Sequence, residues 1–294
     1  MNRKAQNLVI LIVILLPVIL GIIFLTRSGR SSGIGNFSLQ KLAVIRVEGV
    51  IEESGWYVQL LRDFRQDNSV AGVLLRVDSP GGAVAPSQEI YSEITAYKAA
   101  GKPLVVSMGN MAASGGYYIA SPAERIFASP GTLTGSIGVI FTVPLYEELT
   151  QKLGVEFRIF KAGEFKDIGS PYRNHSEQEK QLFQRLLDDT HEQFIQAVCK
   201  GRGLDEELVR SVADGRIFTG KQAYEQKLVD TLGGFEDALQ YLRAKSGVSE
   251  NSKIIEKEQR GGSWWDMITQ AAKKEIPALG SFSKPTGLYF LFQP

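Results

Sequence analysis

Between residues 41 and 128, short aliphatic and β-branched runs alternate with stretches of helical periodicity. The runs LAVIRVEGVI (42–51), VAGVLLRVDSP (70–80) and PLVVSMG (103–109) are near-continuously apolar rather than apolar at every second position. Strands of that kind are buried on both faces, as in a parallel sheet covered by helices. Residues 56–66 and 87–100 supply intervening helices, a short helix begins near Ser114, and further strands are expected at 125–128 and 155–160. The clearest helix spans 176–199. Ser176 and Glu179 form a capping box, Phe183, Leu187, Phe194 and Val198 follow at helical spacing, and Gly201 is placed as its end. Helical segments at 219–228 and 235–245 complete an α/β domain, bounded here at 37–248.

Residues 8–25, LVILIVILLPVILGIIFL, are apolar throughout and carry no charge. About 20 such residues cross the hydrocarbon core of a bilayer, and Pro17 is tolerable inside a spanning helix. The run exceeds the ~7–15 apolar residues of a cleavable signal, and the TRSGRSSG that follows holds no A-x-A-like site. Residues 1–27 are therefore expected to form an uncleaved membrane anchor. Arg3 and Lys4 before the run, against Arg27 and Arg30 after it, tip the N-terminus only slightly towards the cytoplasm. Residues 28–36 read as a flexible Gly/Ser linker. Residues 249–294 read as a tail, in which GGSWWDMITQAAKK (261–274) suits an oligomer or membrane contact.

A net charge of +1 lacks the basic excess of nucleic-acid binders. The single cysteine, Cys199, excludes an intrachain disulfide and a cysteine-built metal site. His175 and His191 both lie in polar, helical sequence without a loop-borne catalytic setting, so a hydrolase here would take its base from another residue type. Three glycine-rich turns follow β-rich runs: Asp78-Ser79-Pro80-Gly81-Gly82, Ala112-Ala113-Ser114-Gly115-Gly116 and Thr134-Gly135-Ser136-Ile137-Gly138. Ligands of open α/β sheets bind beyond the carboxyl ends of strands, where such turns lie. Ser114, at a helix start between small residues, combines an exposed nucleophile with free N–H donors for an oxyanion. A lysine made neutral by burial can take the serine proton. Lys161 and Lys166 are both candidates, and spacing alone does not choose between them. Ser38-Leu-Gln-Lys41 matches S-x-x-K but opens no helix, and neither S-D-N nor K-T-G accompanies it.

RVDSPGG (76–82), MAASGGYYIA (111–120), TGSIGV (134–139), GEFKDIGSPYR (163–173) and DGRIFTGKQAYEQKLVDTLGG (214–234) occur in this order behind the apolar run. Together they resemble the signal peptide peptidase SppA family in its short, single-repeat bacterial form, over roughly residues 41–245. The resemblance implies a ClpP/crotonase-like fold, a largely parallel sheet covered by helices and preceded by one transmembrane helix. It implies Ser114 as nucleophile, Lys166 as general base, Ser136 as the residue orienting the lysine, and an oxyanion hole from Gly81 or Gly82 with Gly115. It also implies serine proteolysis without metal or cofactor, on remnant signal peptides at the outer side of a bacterial cytoplasmic membrane. A ring- or dome-shaped homo-oligomer is implied too, because one chain supplies Ser and Lys only once. Two rivals share parts of this pattern, a crotonase-type acyl-CoA enzyme and a protease-like membrane scaffold without activity.

Overall fold

The apolar runs owe their continuity to burial on both sides of one sheet. A computed structural model describes residues 40–257 and 288–292. The first half contains β1 (Lys41–Glu48), α1 (Gly55–Gln66), β2 (Val70–Ser79), β3 (Gly81–Ala83), α2 (Val84–Ala99), β4 (Leu104–Ala113), α3 (Gly115–Ala120), β5 (Arg125–Ala128) and β6 (Leu133–Gly135). Then come α4 (Glu147–Lys152), α5 (Glu177–Arg202), α6 (Glu206–Val212), β7 (Ile217–Thr219), α7 (Gly220–Glu225), β8 (Thr231–Leu232), α8 (Phe235–Ser246), β9 (Ile254–Glu256) and β10 (Tyr289–Leu291).

The main sheet has the order β7-β6-β4-β2-β1-β9, with β5 beside β4 and β8 beside β5. All its pairings are parallel except β6 with β7. Alternate side chains of β1 divide between two cores. Ala43, Ile45 and Val47 pack with Leu61 of α1, Ile90 and Ile94 of α2, and Phe194 of α5. Leu42 and Val44 pack with Ala238, Leu239 and Leu242 of α8. The α/β class and the covered parallel sheet therefore stand as expected from the sequence. From residue 249 onward the chain adds β9 to the main sheet and β10 to β3, the latter pair forming a separate antiparallel ribbon.

Two local expectations are corrected. Residues 155–160 form no strand, since no neighbour pairs with them, and Val155, Phe157, Ile159 and Phe160 are exposed. Gly201 does not end α5, which runs on to Arg202 and closes at Gly203 in the left-handed conformation, φ 65°. Gly201 instead permits a close approach, for a Cβ there would stand 2.7 Å from the Ser121 carbonyl oxygen. The expected anchor, the linker and the 261–274 segment lie outside the described residues. Among the described residues, no helix is long and apolar enough to cross a membrane.

Gly201→Ala sets two effects against each other. Helix propensity favours alanine by about 1 kcal/mol, while forcing a methyl onto unyielding backbone costs roughly 1–3 kcal/mol. The variant is expected to show a lower urea midpoint than wild type. A raised midpoint would mean the α5–Ser121 contact relaxes freely.

Candidate active site

The three glycine-rich turns meet because their strands are parallel neighbours in register. Ser79 of β2 pairs with Ala112 of β4, and Ala113 pairs with Gly135 of β6, so the chain leaves all three strands at one edge of the sheet. The RVDSPGG run supplies the fastening. Arg76 Nη1 donates to Ser107 Oγ at 2.8 Å and to the Met108 carbonyl at 2.9 Å. Asp78 Oδ1 accepts from the Met111 N–H at 3.0 Å, where the β2–β4 register shifts.

Ser114 and Ser136 follow β4 and β6 directly, and both have positive φ, 52° and 51°. A non-glycine residue held in such a region stores about 1–3 kcal/mol, and such strain gathers at functional sites. Hydrogen bonds hold each serine there: Ser114 N–H donates to Gly135 O and Ser136 N–H to Arg216 O, both at 2.8 Å. Ser114 caps the short α3, is 1% exposed, and makes no side-chain capping bond. Its hydroxyl is thus not committed to the helix it begins.

The neighbouring amides differ in what they already bind. Gly81 N–H donates to Ser79 Oγ at 3.1 Å, and that hydroxyl in turn donates to Gly49 O at 2.6 Å. Gly82 and Gly115 lie side by side, since a Cβ on Gly115 would stand 3.0 Å from the Gly82 nitrogen. The same point is 3.0 Å from the carbonyl oxygen of Phe290. Phe290 belongs to β10 and stands opposite Gly82 in the antiparallel pairing with β3. Neither β10 nor its aromatic seat was anticipated from the sequence.

The two candidate lysines lie in one exposed turn but in different company. Lys161 is ion-paired with Asp167 and also donates to Glu164 O at 2.6 Å. Among the described residues, no ion pair or hydrogen bond engages the Lys166 amine, which is exposed, and none joins it to Ser114. Arg173 braces the turn, bonding Asp167 at 2.8 Å and Glu179 at 2.5 Å. Hydrogen bonds from Arg173 first, and Lys161 second, hold Asp167 below its ordinary range. Arg173 likewise lowers Glu179 to about 2.

His175 and His191 both have a buried Nε2 without a hydrogen-bond partner. His191 also lines a cavity of about 430 Å³ with Ser136, Asp188, Asp214 and Leu291. The signal was present in the sequence: Gln184, Leu187, Asp188 and His191 share one face of α5 at helical spacing, and all four line the cavity.

Residues 96–249 match Peptidase family S49. A candidate signal peptide peptidase SppA of Enterococcus faecium is 37% identical over 243 residues, covering 77% of this chain and 71% of that one. A candidate protease of Synechocystis sp. is 44% identical over 211 residues, covering 71% of this chain and 76% of its own. Protease 4 of Salmonella typhi is 42% identical over 179 residues, 61% of this chain but 29% of that longer protein.

The carboxylates paired with Arg173 have lowered pKa values, so their stabilisation is complete above about pH 4.5 and fades as pH falls towards about 2. Amide protection factors across residues 163–176, corrected for the intrinsic pH dependence of exchange, are expected to hold at pH 5 and to fall through that window. In Arg173→Gln the segment is expected to exchange quickly already at pH 7. Equal protection in variant and wild type at pH 7 would remove Arg173 as the brace.

Proposed function

This chain belongs to peptidase family S49, the serine proteases that include SppA, and on that premise we propose that it is a membrane-anchored endopeptidase using a Ser114–Lys166 dyad. The observation that carries the reading is Ser114 itself. It is held at positive φ with an uncommitted hydroxyl, beside the paired amides of Gly82 and Gly115. Ser114 attacks the peptide carbonyl, its proton passes to Lys166, and the oxyanion is received by the two N–H groups. The amine that took the proton returns it to the leaving nitrogen, and water then releases the acyl-enzyme. Gly82 is preferred over Gly81 as donor because the Gly81 N–H is held inside its own turn by Ser79, whereas Gly82 faces only the short strand β10.

Lys166 is preferred over Lys161 for a parallel reason. The Lys161 amine is engaged by Asp167 and by the Glu164 carbonyl, whereas Lys166 has no such partner among the described residues. Ser136, next to Ser114 across the β4–β6 pair, is proposed to orient the amine. A lysine base needs desolvation, and Lys166 in one chain is exposed. The same region exposes Leu153 at 68% and Phe160 at 93%, with Leu145, Leu149, Val155, Phe157 and Ile159 also exposed. Apolar surface of this extent marks an interaction site. A second copy of the chain is proposed to cover it, giving a homo-oligomer with the base enclosed.

Residues 8–25 are proposed as the anchor, with residues 37–248 as the protease domain on the outer side of a bacterial cytoplasmic membrane. Remnant signal peptides are the proposed substrates, after the name of the Enterococcus relative.

Ser114→Ala and Lys166→Ala are to be compared with Lys161→Ala on a fluorogenic peptide, with circular dichroism confirming folding. Ser114→Ala should be inactive, Lys166→Ala should lose ~10²–10⁴ in rate, and Lys161→Ala should stay within a few-fold of wild type. Near-wild-type rates from Lys166→Ala would remove it as the base. If copies complete one another, mixing the two inactive variants should restore part of the activity. A persistently dead mixture, despite confirmed exchange of subunits, would place both groups within one chain.

A further inference from the structure

Helix α5 is divided in what it packs against. Its second half gives Phe194, Ile195, Ala197 and Val198 to the main core, whereas no apolar side chain of its first half belongs to either core. A helix normally turns its apolar stripe to the core, so the half-buried Phe183 in that first half calls for other partners. It has three. The Phe183 ring stacks on Phe141, with centroids 4.9 Å apart and planes 28° from parallel, and meets the His175 ring edge-on at 6.1 Å. Its Cζ also stands 3.4 Å from the point a Cβ on Gly169 would occupy.

These partners belong to the two segments that carry Ser136 and Lys166. From Ser136 the chain passes through Gly138, Val139 and Ile140, which share a cavity with Gln184 and Leu187 of α5, and then reaches Phe141. It returns to α5 through the lysine turn. There Lys166 N–H donates to Gly163 O at 3.2 Å, Ile168 N–H to Phe165 O at 3.1 Å and Ser170 N–H to Asp167 O at 3.0 Å. Overlapping turns of this kind leave the backbone from Lys166 to Gly169 little freedom, so what holds Gly169 also holds Lys166. The outgoing and returning chains are tied to each other as well, by Tyr146 N–H donating to Pro171 O at 2.6 Å and by Asn174 bonded to Glu147. Glu179 and Phe183 lie four residues apart, on one face of α5. The first fastens the turn by charge through Arg173, the second by ring contact.

Resting on the Ser114–Lys166 reading, we propose that Phe183 is a positioning residue for the base. By contacting Phe141 and Gly169 together, its ring fixes the Lys166 turn against the segment that leads out of Ser136. Its part is exercised through the backbone of the turn, not through a reacting atom. A misplacement of about 1 Å can cost ~10²-fold in rate, and an exposed lysine on a long stem needs a fixed backbone to be placed that well. The requirement is the same whether the serine served lies in this chain or in a second copy, because the turn must keep one place on its own chain in either case.

The test uses the full-length chain purified in detergent, with a fluorogenic peptide, urea unfolding, and light scattering for subunit number. Phe183→Leu keeps an apolar side chain but removes the ring. It is expected to lower kcat by about ten- to a hundredfold while leaving KM within about twofold. The acid limb of its pH–rate profile is expected to move to higher pH, as a base displaced into solvent holds its proton more firmly. Phe141→Leu should behave alike, and the double variant should lose no more than either single one, as shared contacts do. Phe141→Tyr, which keeps the stack, should stay within a few-fold of wild type. A Phe183→Leu protein that is less stable, yet keeps its kcat and pH profile when folded, would overturn the proposal by leaving the ring a structural part only. A raised KM with kcat unchanged would overturn it by assigning the ring to peptide binding. A fall in rate accompanied by loss of assembly would overturn it by assigning the ring to the contact between copies. Near-wild-type rates from Lys166→Ala would remove the dyad and this proposal together, whereas a dead Lys166→Ala beside an unaffected Phe183→Leu would remove this proposal alone.

Discussion

The parallel register of β4 with β6 is the constraint on which the site depends. Opposing Ala113 to Gly135 makes Ser114 and Ser136 the first residues beyond neighbouring strands. It also brings the Ser114 N–H to the Gly135 carbonyl at 2.8 Å. Side chains fasten the register from below, with Thr134 Oγ1 donating to Ala112 O at 2.7 Å and Thr132 Oγ1 to Gly109 O at 2.8 Å. Two residues with side chains are then held at positive φ, a conformation an isolated turn would relax. Burial of α3 completes the restraint, because Tyr117 and Ile119 are fully enclosed in the core. The energy of strain at the edge comes from packing and pairing behind it.

Much of this was legible because the physics acts over short stretches. Strands buried on both faces must be apolar throughout, and turns at their ends must be glycine-rich, so β1, β2, β4 and the three turns could be read locally. Ser176 and Glu179 signalled a helix start, and both capping-box bonds are formed. What failed were features that depend on distant partners. Val155, Phe157 and Ile159 alternate as a strand would, yet no strand pairs with them. Gly201 resembled a helix stop but exists to admit Ser121, eighty positions earlier. Strand β10 was invisible because three residues carry no periodicity, and their partners lie some two hundred positions away.

The choice between paired candidates illustrates the same limit from the other side. Gly81 and Gly82 are identical in sequence terms, as are Lys161 and Lys166. Each pair is separated by what its members are engaged with. Gly81 gives its N–H to Ser79, and Lys161 gives its charge to Asp167. A group with a satisfied partner must lose that bond before it can serve catalysis, at a cost of about 0.5–1.5 kcal/mol for a neutral bond and more for a charged one. Lys166 carries no such penalty, and Gly82 has only the three-residue strand β10 to give up.

Under the proposed reading, the two halves of the dyad differ sharply in their state within one chain. Ser114 is buried and fully positioned, whereas Lys166 is solvated on a turn braced by Arg173. Preorganising the nucleophile draws on folding energy, which a single chain has in supply. Stripping water from an amine draws on further burial, which a single chain leaves undone beside an unusually apolar surface. Exposed apolar side chains next to the base supply the driving force for that burial once copies meet, since association removes both from water together. Assembly and activation would then be one event. A lone chain would carry a positioned serine and a solvated lysine, with the pair completed only where copies meet.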